Sequence, residues 1–124
     1  MNNRYMRFQR WLNIILSVEF PDTVEAISFN LYEDEKNSWS IELIGAGSFD
    51  EDDEDWTCDE VITTREDAFS IRYSGTWQEV QEMFSSYIRY YLDKGVFADR
   101  LKKYRGIAIG FVDGNTSILY RAEQ

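Results

Sequence analysis

The chain has 124 residues, 44% hydrophobic and 16% aromatic, with no histidine, one cysteine, one proline and a net charge of −10. Such a composition suits a single folded domain over residues 1–124 and is too apolar for a disordered chain. One cysteine closes no internal disulfide, structural zinc lacks its ligands, and a pI near 4.4 argues against nucleic-acid binding.

The elements follow in order. Tyr5, Phe8, Leu12, Ile15 and Leu16 recur at spacings of three and four, which predicts a helix over residues 5–18 with Arg4, Arg7 and Arg10 on its surface and Pro21 ending it. This start lacks the basic region, apolar run and cleavage site of a signal peptide. No apolar stretch approaches the ~20 residues that cross a bilayer, so a cytoplasmic protein without membrane contact is expected. Residues 25–32 alternate around Ile27, Phe29 and Leu31, and the alternation resumes with Trp39, Ile41 and Leu43, predicting an antiparallel hairpin whose loop is the polar segment 33–38. Gly45 and Gly47 end the second strand or mark a bulge in it. Residues 56–62 and 68–73 are two further strand candidates.

Thr76 and Glu79 form a capping box before a face of Trp77, Val80, Phe84, Tyr87, Ile88, Tyr91 and Leu92, with Gly95 expected as a left-handed cap. A short basic helix is expected over 97–104, then strand 107–112, an Asp113-Gly114 turn and strand 116–120. The order predicts an α+β domain with an antiparallel sheet, the helices 5–18 and 77–92 packed on one face. Phe8, Leu12, Ile27, Phe29, Ile41, Phe84, Ile88, Ile109 and Phe111 are its expected core.

The charge is concentrated. Between Glu19 and Asp67 stand seventeen carboxylates against two bases, Lys36 and Arg65, and the flanking segments are mildly basic. At the centre runs Asp50-Glu51-Asp52-Asp53-Glu54-Asp55, flanked by Phe49 and Trp56 and continued by Asp59 and Glu60. Such a field repels nucleic acid and attracts a basic partner.

Catalytic signatures are missing. General acid/base chemistry at neutral pH usually recruits histidine, and the carboxylates cluster in a loop rather than facing a cleft. Cys58 has no histidine to activate it and stands among Asp55, Asp59 and Glu60, so it reads as a packed small hydrophobe. An EF-hand loop needs glycine at its sixth place, where Asp55 stands, and no phosphate-binding glycine motif occurs. No enzyme activity, metal or cofactor is therefore expected. Arg100, Lys102, Lys103 and Arg105 read as the solvated side of a helix, bridging to the acidic block. The expected binding surface comprises Phe49, Asp50, Glu51, Asp52, Asp53, Glu54, Asp55, Trp56, Asp59 and Glu60. Its carboxylates take the place of phosphates, and Phe49 and Trp56 provide the desolvated contacts, the competing reading being that Trp56 is a core residue beginning a strand.

In size, element order, the acidic aromatic-flanked loop and the tail Gly110-Phe111-Val112-Asp113-Gly114 after a short helix, the chain resembles the small acidic immunity proteins of bacterial contact-dependent growth inhibition and related polymorphic toxin systems. The resemblance implies a cytoplasmic protein that binds and neutralises a basic cognate toxin domain, often a nuclease. The same charge also suits a regulatory or adaptor domain that binds a basic cellular protein without inhibiting an enzyme.

Overall fold

The first helix, α1, spans Asn3–Leu16, and the side chain of Asn2 caps it by accepting the Tyr5 N–H at 2.8 Å. The computed structural model describes residues 2–122. The strands are β1 (Ala26–Glu35), β2 (Ser38–Ala46), β3 (Glu60–Thr63), β4 (Phe69–Arg72), β5 (Gly106–Phe111) and β6 (Ser117–Arg121). The longer helix α2 covers Trp77–Lys94, and a single turn, α3, covers Ala98–Leu101. Both halves of the expected capping box are present: Thr76 accepts the Glu79 N–H at 3.2 Å, and Glu79 accepts the Thr76 N–H at 2.8 Å.

The fold class is α+β, with the six strands in one mixed sheet. The order is β3-β2-β1-β5-β6, and β4 pairs with the other end of β2. All pairs are antiparallel except β1 with β5, which run parallel, so the wholly antiparallel expectation is corrected at that one seam. The reason lies in connectivity. The chain leaves β4, crosses the sheet through α2 and α3, and returns as β5 in the same direction, the strand–helix–strand path by which parallel strands are joined.

Alternation along the strands divides the sheet into two faces. Ile27, Phe29, Leu31, Ile41, Leu43, Ile107 and Ile109 lie beneath the helices, where they meet Phe8, Leu12, Val80, Phe84 and Ile88; all of these are fully buried. Each contributes on the order of 1.5–3 kcal/mol relative to exposure. Phe8 sits at the junction, its ring centroid 5.6 Å from Phe84, 5.8 Å from Phe69 and 5.9 Å from Tyr87. Phe111, expected in this core, is only half-buried.

Local geometry departs from expectation where turns decide it. The first hairpin turns on Lys36 and Asn37 alone, with Asn37 at φ 62 and a bulge between Glu33 and Glu35, because asparagine tolerates the left-handed region. Gly95 is not a left-handed cap: its φ is −68, and it closes α2 by donating its N–H to the Tyr91 carbonyl. The connection after β5 is residues 112–116, closed by Gly114 N–H to the Phe111 carbonyl at 2.9 Å. Residues 56–62 are not one strand; a 3-10 turn over Glu54–Cys58 precedes β3. Of the two expectations for Gly45 and Gly47, the strand end is met, since β2 stops at Ala46; the bulge opposite Gly45 and Ala46 lies in β3, where Val61 is the extra residue.

Candidate functional site

The second face of the sheet is floored with small residues. Ala26, Ala46 and Ala108 come from three neighbouring strands and are fully buried, and together they leave a shallow depression. The acidic segment folds back over it. Trp56 lays its ring there with 4% exposure, Phe49 packs edge-on to it at 5.1 Å, and Ile118 closes the side. Gly106 has no side chain for a reason: a Cβ there would strike the Phe49 ring.

Trp56 is therefore a core residue, which corrects its expected role as a contact for a partner. Phe49 is half-buried against it. The signal that would have found this is the alanine and glycine at alternating positions on the strands, a face too small to stop at and too apolar to leave wet.

With Trp56 holding it down, the loop is tightly hydrogen-bonded. Asp50 accepts the Asp52 N–H at 2.9 Å, and Asp53 caps the 3-10 turn by accepting the Asp55 N–H at 3.0 Å. Glu54 reaches across to accept the Thr116 N–H at 2.9 Å, tying the loop to the β5–β6 connection. Gly47 N–H donates to the Asp59 carbonyl at 2.9 Å, which closes the base. Glu51 pairs with Arg121. The like charges repel one another, and these bonds to backbone amides and one arginine fix them in place all the same.

Asp50, Glu51, Asp52, Asp53, Glu54, Asp55, Asp59 and Glu60 are all exposed. Among the described residues only Glu51 and Glu60 stand in ion pairs, with Arg121 and Arg65. Six carboxylates remain uncompensated within eleven residues of chain. The basic segment is partly spent inside the domain, as anticipated. Arg105 pairs with Glu25 at 2.8 Å and lies over the Phe49 ring at 5.7 Å. Arg100 donates to the Leu16 carbonyl and covers the Phe20 ring at 4.5 Å. Lys103, Arg105 and Arg121 face Asp50, Glu51 and Asp52 across a cleft of about 560 Å³. Cys58 is exposed rather than packed, which corrects that expectation.

One residue of consequence was missed. Glu42, at the middle of β2, has no exposure, and its carboxylate faces the second side of the sheet. Arg65 meets it with two bonds, Nε to Oε2 at 3.3 Å and Nη2 to Oε1 at 3.0 Å, and gives a third to Glu60 at 2.9 Å. Glu42 first, then Glu60 and Tyr32, hold the guanidinium more firmly protonated than an ordinary arginine. Burial, and then hydrogen bonding to Glu42, push the Tyr32 hydroxyl upward, with Arg65 opposing. Between this cluster and the loop lies a cavity of about 410 Å³ lined by Asn30, Tyr32, Glu54, Asp55, Cys58 and Arg65. In the sequence the only trace was a glutamate between Ile41 and Leu43, with Arg65 the lone arginine of the acidic block.

No protein-family model, curated protein or solved structure matches the chain. Among the described residues, no helix is long and apolar enough to cross a membrane, and no group of three or more carboxylate or thiol side chains is arranged to hold a metal ion.

Proposed function

We propose that this chain is an inhibitory binding protein that neutralises a basic toxin domain in the manner of a bacterial immunity protein. One observation carries the reading: six uncompensated carboxylates stand on a loop that a buried tryptophan and backbone hydrogen bonds hold in one shape. A preformed acidic surface speeds encounter with a basic partner and spares it the cost of ordering a loop on binding. A nuclease is the best electrostatic fit, because a cleft built for phosphates is lined with basic groups that carboxylates also meet. The chain does no chemistry of its own in this reading, and it works in the cytoplasm, where the toxin would act.

The test uses the C-terminal domain encoded by the neighbouring gene. Co-purification with that domain, and growth rescue when both are expressed together, is the expected outcome. Binding without rescue would point to the adaptor reading instead, and absence of both would remove this partner.

A further inference from the structure

An apolar depression lies away from the acidic loop, on the opposite side of β3. It is a groove of about 830 Å³ between the C-terminal half of α1 and the β3–β4 connection. Ile14 in the last turn of α1 and Val18 just beyond its end stand 65% and 63% exposed along one wall. Ile15, Phe20 and Ile62 form its half-buried floor. The walls are tied together: the Trp11 indole N–H donates to the Asp67 carbonyl at 2.6 Å, and Arg100 grips Phe20 from behind. The groove is therefore preformed. Every charged residue lining it is acidic, namely Glu19, Glu66 and Asp67.

We propose that this groove is the docking site for a Lys/Arg-flanked apolar segment of the basic partner. The inference rests on the proposed function for the partner's charge, and it assigns the desolvated contact that Trp56, being buried, does not supply. An apolar centre with a charged rim is the usual build of an interface, in which the centre holds and the rim selects. Two large exposed aliphatic side chains beside an acidic rim match a segment with its own apolar pair bracketed by lysine or arginine. Continuity supports the assignment. Glu60 of β3 belongs to the acidic side through Arg65, while Ile62, two residues on, lines the groove. One partner lying across the β3 edge touches both surfaces, steered by the loop and held by the groove.

The probe is a short synthetic peptide with two leucines four residues apart between flanking lysines, alongside a counterpart with glutamates for lysines. Each is titrated into isotope-labelled protein, and amide chemical shifts are followed. The lysine-flanked peptide is expected to move amides around Ile14, Val18, Ile62 and Asp67, and the glutamate-flanked one to leave them still. Ile14→Asp with Val18→Asp should weaken binding on the order of tenfold or more with an unchanged thermal midpoint, since both side chains are exposed. Glu66→Lys with Asp67→Lys should weaken it through the rim alone. Shifts confined to residues 50–55, equal binding of both peptides, no groove shifts at millimolar peptide, or a dimer that occludes the groove would each overturn the proposal. The amide-substituted acidic loop separates the two readings. If that variant still takes the peptide but binds the toxin domain as the wild type does, the loop reading fails and the groove stands.

Discussion

Arg65, half-exposed on the β3–β4 connection, forks onto Glu42, a carboxylate with no exposure, at 3.0 and 3.3 Å. The pair pins a surface turn to the middle of the sheet. Arg65→Met strips the buried carboxylate of its cation, and a loss on the order of 2–4 kcal/mol in denaturant titration is expected. The double change Glu42→Leu with Arg65→Met should recover most of that, because both charges leave together. A loss well under 1 kcal/mol for the single change would mean that water replaces the guanidinium.

Trp56→Ala opens a cavity above Ala26, Ala46 and Ala108, and about 3–5 kcal/mol of stability should go with it. The loop loses its anchor on the sheet, so stability falls first and affinity only as a consequence, through a loop that must be ordered on binding. Differential scanning calorimetry beside binding at a temperature where both proteins are folded separates the two effects. An unchanged melting temperature with weakened binding would return Trp56 to the interface.

Tyr5 has its hydroxyl buried without a hydrogen-bond partner among the described residues, between Tyr87 and Tyr90 at ring distances of 5.3 and 5.0 Å. Burial, with lesser contributions from Tyr90 and Tyr91, pushes it up to about 12 from the ordinary 10. The folded state thus keeps its proton where the unfolded chain gives it up. Stability linked to Tyr5 is complete below pH 10 and declines between pH 10 and 12, by an amount on the order of 2–3 kcal/mol. Tyr5→Phe should cost little or be stabilising at neutral pH, since it removes an unsatisfied group, and should flatten the alkaline decline. Urea titrations at pH 7, 10 and 11.5 measure both, and an unaltered alkaline slope would contradict the assignment.

Much of this fold was legible because its signals are local. The stripe of Phe8, Leu12 and Leu16, the Thr76–Glu79 box and the alternation around Phe29 and Ile41 each decide a few neighbouring residues, and each is where it was expected. What was misjudged depends on residues distant in the chain. The direction of β5 beside β1 is set by how α2 crosses the sheet, not by any residue in β5. Trp56 is buried because Ala26, Ala46 and Ala108 are small, a fact spread over three strands. The acidic run was plain to see, whereas the groove was not. Ile14 falls off the apolar stripe of α1, Val18 lies beyond its end, and Ile62 sits in a segment without a clean period.

The central claim is that the exposed carboxylates of residues 50–55 steer a basic partner, and association kinetics test it most directly. The variant Asp50→Asn, Glu51→Gln, Asp52→Asn, Asp53→Asn, Glu54→Gln, Asp55→Asn keeps every acceptor oxygen that caps the turn or meets Thr116, so the loop retains its shape without its charge. Stopped-flow association with the C-terminal domain encoded by the neighbouring gene is measured over a range of ionic strengths that brings the screening length from ~30 Å down to ~8 Å. The wild type is expected to associate fast at low salt and to slow steeply as salt rises, while the variant associates slowly throughout with a nearly flat slope and little change in dissociation. Equal association rates and equal salt slopes for the two proteins would contradict the account.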